Sequence, residues 1–315
     1  MIMKKIFFLT IALFAWVAYA AADDCLYSDL NGKKGEELRT ALFNHIKDHT
    51  VLAYGNIRAR DTRVDDRPGT TYVWDMYSNC DISIWSNCGS GEFDECECYN
   101  REHSLPKSWW GHDSSNPEPM YTDLHHVIPT DYYANSQRQA YPLGEVTSVE
   151  WTNGSSKMGY GTFGSSSFYK TFEPADEYKG DLARIYFYMA TCYKDKDFTK
   201  GLGWKVFNSG TANFTTTALN LYLKWHRNDP VSDKERNRND GVERKQGNRN
   251  PFVDDPELVE HIWGNKKTQA YSCGSSEGWE DIEAAPKAQK RLENGMLIIE
   301  LQDGTRYNTT GMRVR

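Results

Sequence analysis

A glutamate stands directly against a histidine at Glu102–His103, inside YNREHSLPKSWWG, and a second stretch, TDLHHVIPTDYYANSQR, carries Asp123, His125, His126, Asn135 and Arg138. Carboxylate and amide oxygens such as those of Glu102 and Asn135 suit a hard divalent ion that keeps several waters. An imidazole near its neutral state, that of His103, suits removal of a proton from water. A guanidinium such as Arg138 matches two phosphate oxygens at once. Ligand, base and cation are together the parts that phosphodiester hydrolysis requires: water must lose a proton while negative charge builds on the phosphate and the departing oxygen.

Each part also has a plainer reading. An acid beside an imidazole is common. Arg138 and Lys107 also fit as surface cations without a ligand, and His226, beside Trp225, reads as a packed interior histidine. Asp123, His125 and His126 read as support, because a histidine donating one ring N–H to a carbonyl or carboxylate would fix the loop that presents Asn135. Neighbours on a regular strand point to opposite faces, so Glu102 and His103 can serve one site only at a strand end or bend, for which Pro106 provides the irregularity.

The elements that must position these residues follow from periodicity. KGEELRTALFNHIKDHT reads as a helix, RARDTRVDDRPGT as a charged loop closed by Pro68–Gly69, and TYVWDMYS as a strand. The proline-rich piece from Asn116 to Val146 reads mostly as loop, with a short helix over TDYYANSQRQA that uses Thr130 as N-cap. The Ser/Gly-rich stretch from Trp151 to Thr171 is a surface loop or hairpin. GDLARIYFYMATCY, apolar nearly all round, predicts a buried helix opening at Asp181. TTTALNLYLKWHRNDP predicts a helix that stops at Pro230, and Ser232 with Glu235 has capping-box spacing for the next. On that helix Lys234, Arg238 and Lys245 share a face, either a cationic stripe for nucleic acid or a solvated face interleaved with Asp240 and Glu243. QGNRNPF reads as a helix terminator with Gly247 as cap.

The chain of 315 residues is long enough to bury a substantial core. Residues 1–20 combine a lysine pair, an apolar run and an Ala-Tyr-Ala ending, which reads as a cleavable secretory signal; no later segment is apolar for long enough to span a bilayer. Export to the extracellular space or periplasm would place the seven cysteines where disulfides persist, with at least one unpaired. Zinc is the other use for Cys80, Cys88, Cys96 and Cys98, but Cys-x-Cys spacing is poor for a tetrahedral site. The net charge of −7 excludes a uniformly basic surface and leaves room for a local basic groove. The expected organisation is a signal at 1–20, a main domain at 23–272, a linker at 273–290 and a small β tail at 291–315 with a turn at Asp303–Gly304. The tail loosely resembles C-terminal sorting segments and reads equally as an edge-pairing extension. Nothing indicates an oligomer, so a monomer is expected.

The blocks YNREHSLP, TDLHHVIPTDYYANSQR, GDLARIYFYMATCY and WHRNDPVSDKERNRNDGVERKQGNRNPFVDDPELVEHIW occur in this order and together resemble the endonuclease I family of secreted bacterial nucleases, from about Lys33 to Trp263. The resemblance implies an α+β fold of helices and short strands around a ββα-metal (His-Me finger) core. It implies cleavage of DNA, and RNA, with little sequence preference, using magnesium (Mg2+), or calcium or manganese in its place. On this likeness Glu102 and Asn135 are the metal ligands and His103 the general base, leaving 5′-phosphate products. Some compact relatives carry an arginine between the catalytic histidine and the Asp-x-His block, where this chain has only Lys107. Arg138 is therefore the candidate phosphate clamp, and Lys107, Lys234, Arg238 and Lys245 the candidate nucleic-acid contacts. Two other readings stand beside a DNA and RNA endonuclease: an extracellular ribonuclease, and a non-catalytic surface protein that captures DNA.

Overall fold

Apolar residues recurring at helical spacing become α1 (Gly35–Ile46), which buries Leu38, Leu42 and Ile46 along one face. The computed structural model describes residues 25–115, 117–164 and 169–274, and the backbone of strands between 289 and 314. The chain divides into two compact units, Asp29–Tyr271 and a second that joins the residues up to Ser28 with those from Ser272 onward. The segment read as a signal, residues 1–20, lies outside the described residues, as does most of the stretch read as a linker. Among the described residues no helix is long and apolar enough to cross a membrane.

The Asp29–Tyr271 unit mixes helices with short strands, as expected for an α+β fold. After the single-turn α2 (Ala59–Thr62), β1 (Tyr99–His103) pairs antiparallel with β2 (Val127–Asp131), Tyr99 opposite Asp131 and His103 opposite Val127. The chain passes directly from β2 into α3 (Tyr132–Arg138), so these three elements form a ββα unit. β3 (Val146–Thr152), β4 (Lys157–Gly161) and β5 (Thr171–Glu173) make a separate antiparallel sheet, the hairpin reading of that stretch. α4 (Lys179–Cys192) is buried at every position from Gly180 to Cys192. It packs against α1, α5 (Thr216–Asn228) and α7 (Pro251–Asp254). Around it Phe187 stacks on Trp263 and meets Phe214 and Phe252 edge-on; each such buried ring contributes about 2–3 kcal/mol by leaving water. α6 (Asp233–Gln246) opens with the expected Ser232–Glu235 capping box and closes on Gly247 in the left-handed region at φ +85°. α8 (Glu257–Ile262) completes the helices.

Several expectations are corrected. TYVWDMYS makes only isolated bridges, Asp66 with Val73 and Tyr72 with Ser83. Single backbone bonds such as Val73 N–H to Ile82 O and Trp74 N–H to Asp65 O hold its first half, and the buried Asp75 carboxylate, which accepts from the Tyr77 and Asp131 N–H groups and from the Ser78 hydroxyl, ties down the turn that follows. The proline-rich piece contains β2, because a two-stranded sheet has only edge strands and an edge tolerates Pro129. The N-cap of α3 is Asp131, whose carboxylate accepts from Ala134 N–H at 2.8 Å, while Thr130 belongs to the strand. Asp181 lies inside α4, not at its cap, and is buried.

Disulfides join Cys80 to Cys96, Cys88 to Cys98 and Cys25 to Cys273, leaving Cys192 as a buried free thiol. The cysteine cluster is thus spent on bridges. In the second unit β6 (Gln289–Glu293), β7 (Met296–Glu300), β8 (Arg306–Asn308) and β9 (Arg313–Val314) pair antiparallel in sequence order. The turn expected at Asp303–Gly304 lies outside the described residues.

Candidate active site

β1 ends in a cleft of about 470 Å³ whose lining includes Asn100, Arg101, Glu102, His103, Lys107 and Asn135. Adjacent strand residues do diverge here. Glu102 turns toward Tyr77 and α3, whereas His103 packs among Tyr121, Trp110 and His126. Because β1 terminates at His103, both faces of the strand reach the same cleft.

Glu102 is 5% exposed. Its Oε1 accepts from Tyr77 OH at 3.1 Å and from Arg138 Nη1 at 2.7 Å. Both bonds fall on Oε1, which leaves Oε2 as the oxygen for a ligand. Burial pushes the carboxyl up to about 7, against the opposing pull of Arg138 and of the Tyr77 hydroxyl.

His103 Nε2 lies 3.0 Å from the Tyr121 carbonyl. A carbonyl can only accept, so Nε2 carries the proton and the neutral ring keeps its lone pair on Nδ1. The ring is stacked on Tyr121 at 5.1 Å and tilted against Trp110 at 6.2 Å. Burial, reinforced by His126 nearby, lowers its pKa to about 3, so the ring is unprotonated at neutral pH.

Asn135 Nδ2 donates to Asn100 Oδ1 at 2.7 Å. With its N–H end engaged, Asn135 has Oδ1 free for the cleft it lines. Asn100 and Glu102 are two apart on β1 and therefore share a face; strand alternation was the signal that could have singled out Asn100. The donor set of one carboxylate oxygen and one amide oxygen, with no thiolate or imidazole nitrogen required, fits a hard ion such as magnesium, manganese or calcium.

Arg138, expected to clamp phosphate, is corrected. It is 1% exposed, and beyond Glu102 it donates to the carbonyls of His103 and Ser104. Burial opposes its charge, but Glu102 outweighs that and holds the guanidinium above its ordinary value. It is a brace for Glu102 and the end of β1. The cationic stripe is corrected as well, since it fails to reach solvent as a set. Lys234 is buried against the Tyr178 ring at 4.1 Å, facing Asp181. Arg238 is buried with Asp65 at 2.7 Å and donates to the carbonyls of Leu124 and Val127. Lys245 alone of the three is exposed, with Nζ 3.3 Å from the Asp61 carbonyl. Lys107 is exposed and lines the cleft.

Asp123, His125 and His126 lie beneath the site. Asp123 accepts from the Tyr188 and Tyr193 hydroxyls, from Gln246 and from the His125 N–H. Burial works against its charge, but His125, His49 and His126 hold the carboxyl well below the usual range. His125 Nε2 bonds the Asn248 carbonyl and His126 Nε2 the Met120 carbonyl at 2.6 Å, and burial lowers both rings to about 4. His226 is buried and bonded to the Pro256 carbonyl. His49, Asp123 and Cys192 place ligand-type atoms within 4.8 Å of one another, but Asp123 Oδ2 and His49 Nε2 are already bonded to tyrosines and Asp123 Oδ1 accepts from the His125 N–H and Gln246.

The cleft residues thus carry one carboxylate, Glu102, against Arg101, Lys107 and Arg138. This is a local positive balance on a chain of net charge −7. Comparison with known proteins adds three findings. A model of the Endonuclease I family matches residues 34–257. The chain is 33% identical over 257 residues to an extracellular ribonuclease of Bacillus amyloliquefaciens, covering 79% of this chain and 81% of that protein, and 32% identical over 261 residues to one of Bacillus subtilis (strain 168), covering 80% and 83%. It is also 25% identical over 227 residues to an Endonuclease-1 of Buchnera aphidicola subsp. Baizongia pistaciae (strain Bp), covering 62% and 78%.

Proposed function

Because the chain belongs to the Endonuclease I family, we propose that it is an exported, metal-dependent endonuclease that hydrolyses phosphodiester bonds of DNA and RNA with little sequence preference. The observation that carries this reading is the cleft shared by Glu102, His103 and Asn135 on one ββα unit. Glu102 Oε2 and Asn135 Oδ1 would hold a divalent ion, magnesium or else manganese or calcium, whose charge offsets that developing on the phosphate and the leaving oxygen.

The chain's own residues supply the rest. His103 Nδ1 takes a proton from the attacking water, whose oxygen bonds to phosphorus as the bond to the 3′ oxygen breaks; the 3′ oxygen is protonated from solvent and the phosphate stays on the 5′ side. Burial favours the base form of His103, and an anionic phosphate would offset the charge the ring acquires on taking the proton. The Nε2–H bond to the Tyr121 carbonyl keeps Nδ1 aimed and steadies the protonated ring. Export agrees with the three disulfides and with relatives named as extracellular.

The test is cleavage of supercoiled plasmid by the purified chain with magnesium, with chelator, and with His103→Ala or Glu102→Ala. Loss of cleavage in chelator, its return with magnesium, and a fall of about 10³-fold in His103→Ala are expected. Wild-type cleavage by His103→Ala would remove the base assignment. The names of the two Bacillus relatives favour a second reading, in which RNA is the preferred substrate. Rates on matched single-stranded RNA and duplex DNA separate the two.

A further inference from the structure

With Arg138 spent on Glu102 and on backbone carbonyls, the site lacks the guanidinium that a phosphodiester cleft calls for. We infer that Arg101 fills this role, contacting a non-bridging oxygen of the scissile phosphate, and that Tyr54 is its positioning residue. The inference rests on the nuclease reading above.

Arg101 is half-buried, lines the cleft and directly precedes Glu102 in β1. Its Cζ lies 3.7 Å from the centroid of the Tyr54 ring, and Nη1 donates to the Tyr54 carbonyl. Ring and carbonyl fix the plane of the guanidinium while using one face and one of its five donors, so edge N–H groups remain for an anion. Among the described residues no carboxylate forms an ion pair with Arg101, whereas Arg58, Arg63, Arg67, Arg138, Arg184 and Arg238 each pair with an acid. In a chain with more acids than bases, an arginine braced but left unpaired beside a candidate ligand has its charge available to substrate.

The brace is also continuous with the base. Tyr54 stacks on Tyr121 at 4.6 Å and 17°, and Tyr121 both stacks on His103 and accepts the bond from its Nε2. One column of rings therefore holds Arg101 and the imidazole in a common frame, so a phosphate gripped by Arg101 is fixed relative to Nδ1. Lys107 shares the cleft but is an exposed point charge on a flexible stem, suited to attraction at longer range.

The test compares Arg101→Ala, Arg101→Lys, Tyr54→Ala and His103→Ala in two assays: steady-state cleavage of a labelled oligonucleotide with magnesium, and anisotropy binding of a fluorescein-labelled single strand in chelator across a salt series. Arg101→Ala should lose about 100-fold in kcat/KM, the loss of a charge-assisted bond made to the reacting phosphate. It should also lower the slope of log Kd against log salt by about 0.7, one phosphate contact on a single strand. Arg101→Lys and Tyr54→Ala should keep the slope, because the charge remains, yet lose at least tenfold in kcat, because its placement does not; they carry the test if Arg101→Ala disrupts β1. His103→Ala should bind with the wild-type slope and cleave about 10³-fold more slowly. Arg101→Ala within threefold of wild type in kcat/KM, or with an unchanged slope, overturns the assignment while His103→Ala still reports on the nuclease reading separately.

Discussion

Replacing Arg138 with methionine distinguishes a brace from a phosphate clamp. Side-chain exposure is 1% for Arg138 and 6% for Glu102, and their charged atoms lie 2.7 Å apart, so the substitution strands a buried carboxylate. Ser104 O keeps its bond from Tyr186 OH at 2.8 Å, but the His103 carbonyl loses its Arg138 donor. Breaking a buried pair from one side costs about 3–5 kcal/mol, most of it the isolated charge. Neutralising that charge first should relieve the penalty. In a Glu102→Gln background Arg138→Met should cost about 2 kcal/mol less, a coupling that a double-mutant cycle reads directly. The assay is urea unfolding of all four proteins in chelator at about pH 9, above the value of about 7 to which burial pushes the Glu102 carboxyl, so that the wild-type pair is ionised and no substrate or ion contributes. A clamp would behave oppositely, losing turnover with stability untouched. Arg138→Met within 1 kcal/mol of wild type, or additive single and double variants, would refute the brace.

Three further outcomes follow from the geometry. Asn100→Ala releases the Nδ2 end of Asn135, so the magnesium concentration for half-maximal cleavage should rise about 10- to 100-fold with the melting point little changed; an unchanged requirement would show that Asn100 does not orient the ligand. His126 has a folded pKa of about 4 against 6.5 unfolded. The unfolded chain therefore takes up its proton first, and the stability from the neutral buried ring is complete above pH 6.5 and lost as pH falls to 4. Relative to His126→Gln, wild type should lose about 3 kcal/mol across that window in denaturant titrations, whereas a constant gap would contradict the burial argument. Cys80→Ser/Cys96→Ser opens a bridge of sequence separation 16, and chain entropy predicts a loss of about 3 kcal/mol in the same titrations, with no loss counting against the bridge as a constraint on the unfolded state.

What the sequence made legible was local. α4 follows from an apolar run with no polar face, and the start of α6 from Ser232 and Glu235 at capping-box spacing, because both depend on residues within a turn or two. Adjacency marked Glu102–His103, and helical position marked Asn135, so the residues now found around one cleft could be named without coordinates. The misread positions depend on partners far along the chain. Arg138 looked free because Glu102, 36 residues away, was assigned only to metal. Lys234 and Arg238 looked like a solvated stripe because nothing in their own helix announces Asp181 or Asp65. β2 was read as loop because Pro129 argues against a central strand and says nothing against an edge. TYVWDMYS has strand composition, but its backbone bonds go singly to Asp65, Arg67, Ile82 and Ile84, and past Trp74 the Asp75 carboxylate takes over, so no continuous ladder forms.

Cys96 and Cys98 are covalently tied immediately before Tyr99, where the strand bearing Glu102 and His103 begins. Ribosomes deliver these sulfurs as thiols, and a reducing compartment keeps thiols open. The final form of this strand therefore depends on an oxidant: the segment that presents the candidate ligand and base is pinned by two bridges only where its surroundings let thiols close.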